Sequence, residues 1–171
     1  MRNSEEALKQ ILGFYERYYN INTEDPMSPF SAEAVFSTHD EHYLLIRSAK
    51  ITEMDSEEFV FFALTDHLTL EEAKTLDETA WQEGLSRASV KPNHKSSDVA
   101  VVIIAEKADE EAFDFIRKAY HFKNYRFGLW GYSSYRIGAI ELAGGKTACN
   151  RQGRELQKLF AGYMKKIEGR C

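Results

Sequence analysis

The sequence predicts a single-domain α+β fold, in which one mixed, mostly antiparallel sheet of six to seven strands is flanked by about four helices. Residues 99–105 form an unbroken apolar run rich in β-branched side chains, which is typical of a strand covered on both faces. Shorter segments alternate apolar and polar residues, as half-buried strands do. A chain of 171 residues favours one domain, with a core large enough to need no disulfide or metal.

The first third predicts one helix and three strands. Asn3 or Ser4 is expected to cap the helix, whose apolar residues recur every three or four positions as far as Tyr19. After a loop with Pro26 and Pro29, strands are predicted over residues 30–38, 43–52 and 58–65. With a turn at residues 54–57, they make an antiparallel meander.

The middle third predicts two helices around the apolar strand. Thr69 and Glu72 match a capping box, so a helix is expected from Leu70 to about Gly84. Its inward face is predicted to consist of Ala73, Leu76, Ala80 and Trp81. Residues 86–97 are polar and predict a surface loop, and residues 106–120 predict the helix that follows the apolar strand.

The last third predicts a hairpin, a short strand and a helix. A two-residue loop at Ser133 and Ser134 would pair Trp130 with Ile137, and the strand before it could lie parallel to residues 99–105. Gly144 and Gly145 suit a second tight turn, followed by a strand over residues 146–150. A final helix is predicted over residues 152–167.

Charge is distributed unevenly along a chain whose net charge is −5. Residues 1–116 hold 10 basic and 24 acidic residues, a net −14, while residues 117–171 hold 12 basic and 3 acidic residues, a net +9. Such asymmetry can mark an anion-binding surface, but the two parts could equally neutralise each other in the fold.

Composition excludes some classes of protein. No apolar stretch reaches the length of a membrane span, and the N-terminus has no apolar signal segment. Cys149 and Cys171 do not have the spacing of a metal site. We therefore expect a cytoplasmic protein with free thiols, no cofactor and no membrane association. Phosphate-binding, dinucleotide-binding, nucleophile-elbow and zinc-protease motifs are all missing.

His39 and His42 are the sequence's candidate metal ligands. If Asp40 and Glu41 form a hairpin loop, the two histidines face each other with their Cβ atoms about 5 Å apart, but a site still needs further ligands. The alternative is a polar turn. Asp66 and His67 follow the third predicted strand and could supply a general base, although adjacent residues on an extended chain point to opposite faces.

A phosphate-binding surface is the second candidate site. Its cations and amide could gather around one end of the predicted hairpin, and Trp130, Tyr132 and Tyr135 could stack on bases. The candidate residues are Arg126, Arg136, Asn150, Arg151 and Arg154, with Lys146 and Lys158 beside them. The alternative is that the aromatic residues form core or cross-strand pairs.

The order helix, three strands, helix, strand also matches restriction-nuclease-like enzymes, which share a strand with an acid-x-lysine pair that holds magnesium. The third predicted strand has no lysine, and Lys50 and Glu53 stand in the wrong order. The topology is permitted, but the catalytic residues are missing.

Four segments together resemble a family of small uncharacterised proteins from clostridia and related bacteria. They are residues 15–18, 41–44, 123–132 and 150–156. The resemblance spans nearly the whole chain, implies one domain in a cytoplasmic setting and assigns no functional residue.

The sequence therefore leaves three functions open. The first is a non-enzymatic binding or interaction module, which could be a homodimer formed through an exposed aromatic strand face. The second is nucleic-acid or phosphate binding through the basic C-terminal third. The third is a metal-dependent hydrolase or nuclease-like enzyme that uses His39 and His42.

Overall fold

The structure is a computed structural model that describes residues 2–38 and 55–169. Within these residues it contains four helices and one open sheet of seven strands. The strands are β1 (Asn20–Asn22), β2 (Ala32–Ser37), β3 (Asp55–Leu68), β4 (His94–Ala108), β5 (Phe122–Asn124), β6 (Tyr132–Glu141) and β7 (Thr147–Cys149). The helices are α1 (Arg2–Leu12), α2 (Leu70–Arg87), α3 (Glu110–Lys118) and α4 (Arg154–Glu168).

The sheet is mixed, as predicted. Its order is β1-β2-β3-β4-β6-β5, and β7 also pairs with β6. The long ladders β3–β4 and β4–β6 are parallel, and the four remaining pairings between described strands are antiparallel. The predicted α+β class and the mostly antiparallel sheet are confirmed.

Residues 99–105 lie in the middle of the sheet and are at most 1% exposed. Val99, Val101 and Ile103 pack in the cluster that includes residues of α2 and α3. Ala100, Val102 and Ile104 pack in the cluster that includes residues of α1 and α4. Because successive side chains of a strand point to opposite faces, an apolar run without alternation is what a strand between two helix layers requires. This prediction is confirmed.

The predicted turn at residues 54–57 is wrong for residues 55–57, which form the start of β3. Ser56 pairs with Ser96 and Glu57 with Ser97 of β4. The meander is also wrong in its order, because β2 pairs directly with β3. The predicted strand over residues 43–52 and Met54 lie outside the described residues.

The predicted hairpin loop at Ser133 and Ser134 is wrong, because both residues lie inside β6. Ser133 Oγ is 2.8 Å from the Tyr125 hydroxyl, and Ser134 Oγ donates to Asp98 Oδ1 at 2.6 Å. These partners allow polar residues to occupy the interior of a strand. The strand predicted before this loop, parallel to β4, is also wrong, because residues 125–131 form no strand and the strand parallel to β4 is β6, which contains the predicted loop.

The chain reverses direction earlier, between β5 and β6, in a tip that we define as residues 125–131. Arg126, Phe127, Gly128 and Gly131 all have positive φ angles there, from 46° to 85°. At Gly131 a β-carbon would lie 2.3 Å from the Lys95 carbonyl oxygen, so this position requires glycine for space as well as for φ. The turn that contains Gly145 and the short strand β7 follow as predicted.

The helices begin and end close to the predicted positions, with three differences. The Thr69 hydroxyl accepts a hydrogen bond from Glu72 N, which confirms Thr69 as the cap of α2, while the Glu72 carboxylate accepts a bond from the Thr65 hydroxyl. α1 begins at Arg2, before the expected cap, and ends at Leu12, well before Tyr19. Residues 94–97 belong to β4 and not to a surface loop, and β4 extends to Ala108, which shortens α3. None of the helices in the described ranges is long and apolar enough to cross a membrane.

Candidate functional site

Polar side chains from three neighbouring strands meet on the sheet face that carries α1 and α4. Glu58 of β3 pairs in register with Asp98 of β4, and Ala100, two residues further along β4, pairs with Arg136 of β6. Glu58, Asp98 and Arg136 share a face with Val60, Ala100 and Ile140, since side chains on one face recur every second residue. The sheet thus brings two carboxylates and one guanidinium group together near the amino-terminal ends of its parallel strands.

Arg136 and Glu58 form an ion pair in which each side chain is only about a fifth exposed. Arg136 Nη2 donates to Glu58 Oε1 at 2.5 Å, and the Tyr19 hydroxyl donates to Glu58 Oε2 at 2.6 Å. Burial alone would lower the pKa of Arg136, but the charges of Glu58 and Asp98 raise it above its usual range. Arg136 Nε is buried without a hydrogen-bond partner.

Two tyrosines stand beside this ion pair as permanent hydrogen-bond donors. Burial and then the charge of Glu58 raise the pKa of both Tyr15 and Tyr19 far above the usual range of a phenol. Their rings are held in place by other aromatic residues. Tyr15 meets Tyr19 and Phe62 edge-on, and Tyr19 also packs on Phe36. Both phenols therefore stay protonated over the whole physiological range of pH.

A cavity of about 410 Å³ opens over the ion pair, and we call it the tyrosine cavity. This volume lies within the range of small-molecule sites. Aromatic and aliphatic side chains form most of the wall, together with two acids and two bases. The lining residues are Phe14, Tyr15, Tyr19, Glu58, Arg136, Glu155, Leu156, Lys158 and Leu159.

The charges of this cavity balance each other. Lys158 Nζ lies 3.0 Å from Glu155 Oε1 at the exposed side, and Arg136 pairs with Glu58 at the buried side. Among the described lining residues there is no serine, cysteine or histidine, which are the common nucleophiles and bases of enzymes. The arrangement is suited to binding a ligand by hydrogen bonds and aromatic contact.

A second polar network lies on the opposite face of the sheet. Ser97 Oγ donates to Glu57 Oε2 at 3.0 Å and lies 2.7 Å from His94 Nε2, while His94 Nδ1 lies 2.7 Å from the Trp130 carbonyl oxygen. In a catalytic triad the acid contacts the histidine and the serine hydroxyl donates to the histidine. Here the serine donates to the acid, so the network ties β3 and β4 to the tip.

The five predicted anion-binding residues lie in three parts of the fold: the tip, the tyrosine cavity and the connection from β7 into α4. The Arg126 guanidinium lies over the Trp130 ring at 4.2 Å, in the tip, and Arg136 lies in the tyrosine cavity. Asn150 is buried, and its side-chain amide binds Ile137 N and the carbonyl oxygens of Tyr135 and Ala119. Arg151 and Arg154 are exposed around the start of α4.

The three aromatic residues that were predicted to stack on bases each have a different environment. Tyr135 is fully buried, Trp130 is covered by Arg126, and Tyr132 stacks on Phe122 with 5.6 Å between ring centroids. Anion binding by the set of five residues remains a prediction.

His39 and His42 lie outside the described residues, so their metal site also remains a prediction. His67 lies at the carboxyl end of β3, where its Nε2 atom is 2.7 Å from Asp109 Oδ1. Both side chains are about half exposed, which is the setting of a surface pair of small energetic consequence.

Sequence reasoning identified Arg136 but missed Glu58, Tyr15 and Tyr19 as members of one site. A signal was present in β3, where Glu58 occupies the same alternating face as Val60 and Phe62. An acid in an inward-facing series is unusual unless it has a partner. The partner Arg136 is 78 residues away, and no local pattern connects the two.

Comparison with protein families finds a match over residues 3–162 to a family model described as "Domain of unknown function (DUF8052)". No curated protein and no solved structure matches the chain.

Proposed function

The chain belongs to the DUF8052 family of domains of unknown function, and we propose that it is a non-enzymatic binding module for a small zwitterion of the amino-acid type. The ligand occupies the tyrosine cavity. The observation that carries the proposal is the buried Arg136–Glu58 ion pair in the wall of an aromatic cavity.

The ion pair supports a ligand with both charges. Arg136 offers guanidinium donors to a carboxylate, and Glu58 has acceptor capacity beyond its bonds to Arg136 and Tyr19. A lone phosphate would meet the repulsion of Glu58, and a lone amine would meet that of Arg136. A zwitterion complements both groups at once, and its neutral total charge suits a lining of two acids and two bases.

The remaining wall supports an apolar or aromatic body on that ligand. Phe14, Tyr15, Tyr19 and Leu159 surround the space next to the ion pair. Aromatic rings bind planar apolar groups by stacked or edge-on contacts. An aromatic amino acid such as L-phenylalanine therefore combines the polar and apolar features that the cavity offers.

Titration calorimetry with three ring-matched probes tests this function. L-phenylalanine carries both charges, phenylpyruvate lacks the ammonium group, and phenethylamine lacks the carboxylate. We expect saturable binding of L-phenylalanine at one site and at least about tenfold weaker binding of each analogue. Phenylpyruvate has no ammonium group to contact Glu58, and phenethylamine has no carboxylate to contact Arg136.

Equal binding of phenylpyruvate would favour the anion-binding alternative over our proposal. Equal binding of phenethylamine would favour a cation site. If none of the three probes binds, the proposed ligand class is wrong. Substituting Lys158, the exposed cation of the cavity, by Gln is a matched control that should change affinity much less than Arg136→Met.

A second candidate function is association with a second copy of the chain through the tip and β5. Phe127 is fully exposed and Leu129 is 78% exposed. Phe127 also has a φ angle of 55°, a strained conformation that bulky residues rarely adopt outside functional sites. Within the described part of the chain, β5 pairs only with β6 and ends the sheet, so its outer edge can extend the sheet into a twofold-related copy.

Sedimentation-velocity analysis tests this association. A Phe127→Ser/Leu129→Ser variant should shift a dimer to monomer, whereas Phe14→Ser, which removes a half-exposed ring elsewhere, should not. A wild-type protein that is monomeric at all accessible concentrations would exclude it.

Several expectations from the sequence belong to the proposal as well. They are one domain for residues 1–171, a cytoplasmic setting and an origin in clostridia or related bacteria. Phosphate or nucleic-acid binding through the basic C-terminal third remains an alternative, and retention on heparin that falls steeply with salt would support it. A metal-dependent hydrolase that uses His39 and His42 is the other alternative.

A further inference from the structure

A histidine and two acids meet on the sheet face opposite the tyrosine cavity. Asp77 and Glu78 are consecutive residues of α2, and His121 lies between α3 and β5. One ligand atom from each of these three residues lies within 4.8 Å of the other two. His121 Nε2 is 2.7 Å from Asp77 Oδ2, and the His121 ring stacks on Trp81 with 5.1 Å between centroids.

Asp77 is buried on the inward face of α2 and is only 6% exposed. One of its oxygens, Oδ1, has no hydrogen-bond partner. A buried carboxylate oxygen without a donor is destabilising. An apolar residue would pack well at this position, so stability alone does not explain the aspartate. The bond to His121 engages one of the two carboxylate oxygens, Oδ2.

Tyr135 supplies a second unsatisfied polar atom at the same place. It is fully buried, and its hydroxyl has no hydrogen-bond partner. The ring meets His121 edge-on at 4.8 Å. The hydroxyl also interacts with the Asp77 carboxylate, without meeting the geometry of a well-oriented hydrogen bond.

We propose that Asp77, Glu78 and His121 bind a divalent first-row transition-metal ion, with zinc as the leading ion. One imidazole nitrogen and two carboxylate oxygens are ligands that such ions accept, and three protein ligands leave a fourth position open. Asp77 Oδ1, which lacks a partner, gains one in the cation or in a water bound to it. The Tyr135 hydroxyl then becomes a donor to that water or to the carboxylate.

The spacing requires His121 and Asp77 to move slightly apart and Glu78, whose ligand atom lies within 4.8 Å of theirs, to move closer. Two donors about 2.0–2.1 Å from a tetrahedral zinc ion lie roughly 3.3 Å apart, and the observed separation of His121 Nε2 and Asp77 Oδ2 is 2.7 Å. Glu78 is exposed and can turn towards the ion without disturbing the core. Trp81 and the body of α2 hold the other two ligands in place.

The chain contains a matched control. His67 and Asp109 form a histidine–aspartate pair with the same 2.7 Å separation, but it is about half exposed, and no third candidate ligand completes a group there among the described residues. A simple histidine–carboxylate hydrogen bond would behave alike in both pairs, whereas a metal site requires that, of these two pairs, the one at His121 alone binds the ion.

Metal titration of the untagged full chain, stripped with EDTA, tests the proposal. Zn²⁺ binding is measured by competition with a chromophoric chelator, and Co²⁺ reports the ligand geometry through its visible absorption. We expect one equivalent bound, at least a tenfold loss of affinity in both His121→Gln and Glu78→Gln, and no change in His67→Gln.

Because Glu78 is exposed, Glu78→Gln keeps the test valid even if substituting His121 disturbs folding. The double variant His39→Gln/His42→Gln should still bind one equivalent. The proposal is overturned if no metal binds at equimolar concentration, if His121→Gln and Glu78→Gln bind as tightly as the wild type, or if binding is lost only in the His39/His42 double variant.

Discussion

The Arg136–Glu58 ion pair should contribute little to stability when both partners are replaced, although each single replacement should be harmful. Removing one member of a buried pair leaves an uncompensated charge, which costs about 3–5 kcal/mol in a fully buried setting. Here each side chain keeps about a fifth of its exposure, and water in the cavity can solvate the remaining charge. We therefore expect Arg136→Met and Glu58→Leu each to lower the free energy of unfolding by about 2 kcal/mol.

The double variant should lie within about 1 kcal/mol of the wild type, because replacing a whole buried pair by apolar residues is often neutral or stabilising. Tyr19 loses an acceptor, but it is only partly buried and can donate to water. The cycle therefore predicts a coupling energy of at least about 3 kcal/mol, measured by urea unfolding followed by circular dichroism.

The exposed pair Glu155–Lys158, which lines the same cavity, is the control. Its coupling energy should not exceed about 0.5 kcal/mol. A double variant of Arg136 and Glu58 that loses about as much stability as the two single variants together would refute the reasoning. The pair would then be a stabilising element of the fold, and its burial would no longer indicate a ligand site.

Three further predictions concern single residues. Thr69→Ala should lower the free energy of unfolding by about 1 kcal/mol, because it removes the cap of α2. Gly131→Ala should lower it by at least about 2 kcal/mol, because φ is 77° and the new β-carbon would lie 2.3 Å from a backbone oxygen; both are measured by urea unfolding. Burial raises the pKa of the Cys149 thiol from 9.0 to about 12. Iodoacetamide should therefore alkylate it at least about 100-fold more slowly than in the unfolded chain, measured at about pH 8 in a Cys171→Ser background. Above pH 9 the unfolded chain releases the thiol proton and the folded chain keeps it, so stability should fall as the pH rises towards 12.

The Thr69 and Gly131 predictions each have a control in the chain. Thr75 binds a carbonyl within α2 and caps nothing, so Thr75→Ala should have little effect. Gly128 has a φ of 85° but no atom near its missing β-carbon, so Gly128→Ala should cost only about 1 kcal/mol. Equal losses at Thr69 and Thr75, or at Gly131 and Gly128, would contradict the structural explanation. Cys149 is partly buried, and rapid labelling of it in the folded state would show that this burial does not suppress the thiolate.

The parts of the fold that follow from local patterns were predictable from the sequence. The seven apolar residues of β4 have no polar alternation, and this alone placed them between two helix layers. Thr69 and Glu72 fixed the start of α2 because the capping bonds lie within four residues of each other. The turn before β7 followed from a pair of glycines.

The failures involve residues whose partners are distant in sequence. Ser133 and Ser134 looked like a turn, but Tyr125 and Asp98 satisfy their hydroxyls inside a strand. Polar residues favour turns only when nothing in the folded chain binds them. The actual reversal uses positive φ angles at Arg126 and Phe127. These residue types rarely adopt positive φ, so there was no reason in the sequence to expect a turn there.

In the candidate sites, too, local sequence patterns were readable and contacts between distant residues were not. Arg136 was identified as a cation, but its role depends on Glu58, which no periodicity links to it. Asp77 carried a readable signal, because it falls among Ala73, Leu76, Ala80 and Trp81 on the buried face of α2. A charged residue in an otherwise apolar helix face indicates a buried partner, and here that partner is His121.

The most direct test of ligand binding in the tyrosine cavity is the NMR signal of the Arg136 Nε–H group, which is buried without a hydrogen-bond partner. In protein labelled with ¹⁵N-arginine, this signal is assigned by its loss in the double variant of Arg136 and Glu58. We predict that L-phenylalanine shifts it saturably, with the same dissociation constant as calorimetry gives, while the signal of the exposed Arg151 stays in place. An Arg136 signal that does not move at saturating L-phenylalanine would contradict the assignment of the cavity as the binding site.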